Sequence, residues 1–370
     1  MNRNRLIREF IRFTSIDSPS YGEKAISETI RQCFDPLGLL LSEDDTGKRL
    51  GGGCGNLYGF LDGDLQAEPL LFSAHMDTVE PCRSKCAAIG EDGRITSGGS
   101  TILGADDCAG IVVLLEALRT IQENGLRHRP IEVLFTVAEE NYCEGASCFD
   151  FSKLRSKQAY ILDLSGPVGT AAYRAPTVLS FNATVRGKSS HAGFEPEKGI
   201  HAIAAATHAV SLLSMGHADE ETTLNVGTIS GGIATNIVPD RCIVTGEIRS
   251  FSHGKALKLA EEVKQRFQSA AEEFGAEIDF TTRCGCVAYE TPLDHPVAER
   301  FRQACEGLGL TPAMQSTFGG SDNNTLMAHG IVGLVLATAM NNCHSCEEYS
   351  DISELSRAAE LTVSLMTSGN

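Results

Sequence analysis

The chain has 370 residues and a formal net charge of −17, from 31 Lys and Arg against 48 Asp and Glu. So strong an acidic excess excludes a polyanion binder, which needs a basic stripe, and argues equally against docking to anionic lipid. Hydrophobic residues at 42% and charged residues at 21% are globular proportions, and at roughly 100–200 residues per domain the length predicts two domains.

The N-terminal segment places Leu6, Ile7, Phe10, Ile11 and Phe13 at helical spacing. Arg and Glu interrupt these apolar residues, so the segment lacks the apolar stretch of a signal peptide. No run approaches the ~18 apolar residues of a membrane span. A cytoplasmic location with reduced thiols is therefore expected for the 13 cysteines. Of the close pairs Cys82/Cys86, Cys284/Cys286 and Cys343/Cys346, only the last has the two-residue gap of a metal ribbon, and a ribbon needs two such pairs.

Residues 24–36 predict a second helix, ended by Pro36 and Gly38. GGGCG at 51–55 lacks the Gly-Lys-Ser/Thr ending of a phosphate loop and reads as a turn. Apolar runs of strand length follow: 70–74 up to His75, 131–137 up to Glu139 and Glu140, and 159–162 up to Asp163. A long helical pattern at 109–122 separates the first two. This alternation predicts an α/β fold with a doubly wound, mostly parallel sheet. From about Pro176 the texture changes to alternating strands at 178–186, 224–229 and 242–251, with helices at 199–214 and 255–274. After Val287 come a helix, the apolar strand 331–337, a polar cluster around His344 and a last helix. The expected organisation is a discontinuous catalytic domain, 1–176 and 287–370, with an inserted α+β lid and dimerisation domain at 177–286.

Three strand ends carry polar residues, and ligands of open α/β sheets bind just beyond the carboxyl ends of strands. His75 and Asp77, the pair Asp106-Asp107, the pair Glu139-Glu140, Asp163 and His344 form an inventory of nitrogen and oxygen donors suited to a two-metal hydrolytic centre. Each has a plainer reading alone; Asp106-Asp107, for example, could simply cap the following helix. Rival chemistries lack their signatures, since there is no HExxH, G-x-S-x-G or G-x-G-x-x-G.

HMDTV, LGADDCAG, AEE, the LD at 162–163, GKSSHAG, TNIVPD, GGSDNN and CHSCEEY, in this order, resemble the di-zinc exopeptidase family of tripeptidase (peptidase T), glutamate carboxypeptidases, aminoacylases and succinyl-diaminopimelate desuccinylase. The resemblance is strongest to the peptidase T-like branch. It implies two divalent cations, zinc first with manganese or cobalt as alternatives. His75 and Asp163 would hold one, Glu140 and His344 the other, and Asp106 would bridge them. Asp77 would orient His75, and Glu139 would serve as general base toward a metal-bridging water. In the lid, His191, Asn236 and Arg249 match positions that hold substrate, with His191 reaching the active site of a partner subunit. Gly319, Gly320 and Ser321 would form a loop along the substrate backbone. The resemblance thus implies a homodimeric hydrolase of short peptides. A deacylase or carboxypeptidase acting on N-acyl amino acids, and a non-catalytic peptide-binding relative, are the alternatives. Two departures stand out. Cys108 replaces the lysine usual after the paired aspartates, which would put an oxidisable thiol near the metal. Cys343 and Cys346 flank His344, where thiolates could compete for a cation.

Overall fold

The computed structural model describes residues 1–369. The chain divides into two compact units. The first comprises Met1–Arg174, Glu290–Thr317 and Ser321–Asn370; the second comprises Ala175–Tyr289 with Phe318–Gly320.

The first unit is built on a large mixed sheet whose centre is parallel. Its four central strands lie in the order Ile131–Thr136, Leu70–His75, Gln158–Ser165 and Val332–Asn341. Their near-continuous apolar sequence is explained by burial on both faces. Leu70, Phe72, Val133, Phe135, Tyr160 and Leu334 enter one core, with helices Arg3–Thr14, Lys24–Phe34, Ala105–Asn124, Pro296–Gly307 and Ile352–Thr367. Their neighbours Leu71, Leu134, Ile161 and Val335 enter a second core on the other face, with Leu326 of the helix Asp322–Ala328. Period-two alternation thus sorts one strand's side chains between two apolar layers. Each buried Leu or Phe contributes about 1.5–3 kcal/mol.

The strand expected to stop before Asp163 continues to Ser165, so Asp163 lies inside it. The ladder to Val332–Asn341 is irregular there, jumping from Ile161↔Val335 to Leu164↔Ala337. That break accommodates a residue type normally depleted from strands. The antiparallel strand Leu57–Leu61, paired with Ile131–Thr136, was not legible from the sequence.

The second unit is a five-stranded antiparallel sheet in the order Gly216–Asp219, Thr222–Gly231, Arg241–Ser250, Thr177–Arg186 and Glu277–Cys286. One face buries Phe181, Ala183, Val185, Val244 and Ile248 against helices Ala202–Ser211 and His253–Phe274, where Phe267 is fully buried. The first of these helices is shorter than the expected 199–214. His201 sits before it as its cap, its Nδ1 accepting from the Ala204 amide at 3.2 Å.

Candidate metal centre

The parallel strands bring their carboxyl ends together, and five of the expected residues, His75, Asp106, Glu140, Asp163 and His344, meet there. His75 is the last residue of its strand and is 2% exposed. Its Nδ1 lies 2.9 Å from the backbone carbonyl of Asp77. With Nδ1 donating to that carbonyl, Nε2 faces Asp106 Oδ1 at 3.0 Å and Asp163 Oδ1 at 3.8 Å. The other Asp106 oxygen lies 3.3 Å from His344 Nε2, which is 3.0 Å from Glu140 Oε2. Two triads therefore share Asp106, namely His75–Asp106–Asp163 and Asp106–Glu140–His344.

Local folding explains how these residues reach one place. Asp106 and Asp107 have non-helical backbone angles, and the regular helix begins after them. Asp107 caps it, accepting the Gly110 amide at 3.0 Å, and with its other oxygen accepts the His75 amide at 3.1 Å. It thereby ties the helix start to the strand end. Glu348 accepts the amides of Gly104 and Asp106 at 2.7 and 3.0 Å, holding the loop that presents Asp106. Asp77 accepts the amides of Glu139 and Glu140 at 2.9 and 3.2 Å and the Ser20 hydroxyl at 2.7 Å. Beneath this turn, fully buried Glu23 accepts the amides of Tyr21 and Ala138. His344, in the loop after Val332–Asn341, adopts a positive φ of 62°.

The electrostatics of the cluster call for added positive charge. Burial raises the Glu139 carboxyl well above its ordinary range and neighbouring Asp163 adds to it; burial and Asp106 do the same to Asp163. Burial also raises Glu140, against the opposing hydrogen bond from His344. The imidazoles respond in kind. Asp106 and Glu140 lift His344 to about 11, and contacts to Asp106 and Asp77 outweigh burial to hold His75 well above its usual value. Glu140 Oε1 is buried without a hydrogen-bond partner. Carboxylates in excess, two imidazoles and an unused oxygen make a donor set that fits two divalent cations.

The remaining expected residues are not members of the two triads. His191, Asn236, Arg249, Gly319 and Gly320 belong to the second unit. His191 is exposed, and its Nδ1 accepts the amides of Gly193 and Phe194 at 3.2 Å each. Asn236 approaches it through the backbone, its carbonyl accepting the Ala192 amide. The Arg249 guanidinium is already engaged twice by Glu247, at 2.6 and 3.1 Å, and by the Phe318 carbonyl at 2.6 Å. Gly320 is packed so closely that a Cβ there would meet Cys286 Sγ at 2.9 Å. Ser321, in the first unit, caps the helix Asp322–Ala328 in a reciprocal box with Asn324. Cys108 is buried, and burial pushes its thiol up to about 12, which argues against the expected reactivity. None of the 13 cysteines forms a disulfide, and neither Cys343 nor Cys346 joins a group of three ligand atoms among the described residues.

Sequence reasoning did not single out Glu23, Ser20, Cys143, Asp322 or Glu348. Glu348 and Asp322 do fall inside the motifs CHSCEEY and GGSDNN.

Comparison with known proteins shows the family. The sequence description of peptidase family M20/M25/M40 matches residues 71–368. The uncharacterized protein YqjE of Bacillus subtilis is 36% identical over 366 residues, covering 99% of this chain and 98% of its own. The crystal structure of aminopeptidase PepT from Bacillus cereus superposes with a TM-score of 0.90 at 36% identity, over 99% of this chain and 98% of that one. A tripeptidase from Staphylococcus aureus gives a TM-score of 0.95 at 31% identity with the same coverage. The chain is a member of peptidase family M20/M25/M40.

Proposed function

We propose that this protein releases single residues from the amino end of short peptides, tripeptides foremost. It is a metal-dependent exopeptidase of the M20 family. The observation that carries the finer reading is Asp106, which offers one oxygen to His75 and the other to His344. In this reading His75, Asp106 and Asp163 hold one divalent cation, and Asp106, Glu140 and His344 hold a second, with zinc as the native metal. Bound there, the cations supply Lewis acidity toward the scissile carbonyl and make the attacking water more acidic. Glu139 accepts the water proton at its carboxylate and delivers it to the leaving amine. Asp77 is a positioning residue. Its carbonyl fixes the His75 ring, and its carboxylate holds the backbone of Glu139 and Glu140.

In the second unit, the Nδ1 bonds of His191 leave Nε2–H as its free donor. We assign it to polarising the substrate carbonyl in the partner subunit of a homodimer. The strand Thr222–Gly231 supports such a dimer. Beyond Leu224 it has no outer neighbour among the described residues, and Ile229 and Ile233 are exposed, the latter by 85%. Arg249 would hold a substrate carboxylate while shared with Glu247, and the segment Gly319–Ser321 would run along the substrate. Thiols outside any disulfide suit a reducing compartment, and we place the protein in the cytoplasm.

A panel of tripeptides, dipeptides and N-acyl amino acids, assayed with and without chelator, tests the reading. Release of free amino-terminal residues from tripeptides, lost on chelation, is expected. Cleavage confined to N-acyl amino acids would replace it with a deacylase.

A further inference from the structure

A third group of ligand atoms lies beside the two triads and shares none of their members. Glu139, Cys143 and Asp322 each offer one atom, all within 4.8 Å of one another. Cys143 follows Glu139 by one turn of chain and is buried, with its Sγ 3.4 Å from Glu139 Oε1. Asp322 comes from the start of the helix Asp322–Ala328 and is 2% exposed. Its Oδ2 accepts from the Thr136 hydroxyl at 2.5 Å, while Oδ1 is buried with no hydrogen-bond partner. A tetrahedral zinc with bonds of about 2.3 Å to sulfur and about 2.1 Å to oxygen sets its sulfur and oxygen donors about 3.6 Å apart. The observed separation of Sγ and Oε1 needs almost no movement to reach that value.

We propose that Glu139, Cys143 and Asp322 form a separate site for a thiophilic divalent cation, and that its occupation switches the peptidase off. The donor set differs in kind from the two triads, which offer only nitrogen and oxygen. A thiolate with two carboxylates favours zinc or cadmium over manganese or magnesium. Binding is a ligand exchange without electron transfer. The Sγ–H bond breaks, its proton leaves to solvent, and a metal–sulfur bond forms in its place. Any proton on Glu139 or Asp322 leaves in the same way. The inhibitory consequence rests on the reading of Glu139 as the base, because a carboxylate committed to a cation cannot accept the water proton.

The test is a cadmium titration of the protein already carrying two equivalents of zinc, followed by the ultraviolet absorption of thiolate bound to cadmium. Exposed Cys86 and Cys284 give a background common to all variants. Wild type is expected to take one further tight equivalent with a sulfur band, and to lose activity in step with it. Cys143→Ala and Cys143→Ser should each lose that equivalent and its band. Asp322→Asn, which keeps an acceptor for Thr136, should weaken it about tenfold or more. Retention of two zinc equivalents shows that a variant is folded. An unchanged band and stoichiometry in both Cys143 variants overturns the site. Because only this site contains sulfur, a band without inhibition supports the site and removes Glu139 as base, while a protein unable to hold two zinc ions fails the triad reading instead.

Discussion

Glu23 permits a quantitative test of how the turn bearing Glu139 and Glu140 is supported. It is fully buried, its Oε1 accepts the amides of Tyr21 and Ala138 at 2.8 and 3.0 Å, and its Oε2 has no partner. Burial, with the charge of Asp77 adding to it, raises its pKa from 4.5 to about 7. At about 1.36 kcal/mol per pKa unit, that displacement corresponds to about 3 kcal/mol. The sign follows from linkage. Because the folded value is the higher one, the stabilisation is fully present below 4.5 and is lost as pH rises through about 7. Glu23→Gln retains the oxygen that accepts both amides but cannot ionise. Its stability relative to wild type should therefore increase by about 2 kcal/mol or more between about pH 5 and about pH 8. Urea unfolding of the metal-free protein across that range measures it, through the displacement of the midpoint at constant slope. Parallel stability profiles for variant and wild type would refute the argument, since Glu23 would then titrate alike in both states.

Other residues give further expectations. Glu139→Gln should bind two metal equivalents as wild type does, yet lose turnover by about 10²–10⁴-fold; metal analysis with single-substrate kinetics checks both, and full activity would remove Glu139 as the base. Asn56→Ala should cost about 2–4 kcal/mol in urea unfolding, because it leaves the Val137 amide and the Gly145 carbonyl without the side chain that joins them. Iodoacetamide labelling of the native protein, read by peptide mapping, should leave Cys108 unmodified while Cys86 and Cys284 react; labelling of Cys108 at the rate of Cys86 would contradict its burial.

The candidate centre was legible in the sequence because the proposed donors sit where local pattern is loudest. His75 and Glu139-Glu140 interrupt long apolar runs, and those runs are apolar because Phe72 and Leu71, or Val133 and Leu134, face opposite cores. Asp163 was found by the same signal but placed at a strand end, since only the partner strand's register shows the ladder breaking beside it. The supporting residues gave no such signal. Glu348 meets Asp106 across 242 positions and Glu23 meets Ala138 across 115, and an acid destined for a buried amide looks in sequence like any surface acid. The strand Glu277–Cys286 was hidden for another reason. It is an edge strand, mostly exposed, and its charged residues blur the alternation. Arg249 shows the converse limit: its match to a substrate-holding position was legible, but its engagement by Glu247 was not.

The interruption of the first unit by the second has a consequence for how the enzyme comes into being on the ribosome. His75, Asp106, Glu140 and Asp163 have all been synthesised when the chain reaches residue 163, but His344 follows 344 − 163 = 181 residues later. Its strand, Val332–Asn341, must pair alongside Gln158–Ser165 before the set is complete. At about 5–20 residues per second, roughly 9–36 s of elongation separate the two events. A nascent chain therefore carries four of the five donors well before the fifth is made, and the second unit between them is synthesised while the set is still open.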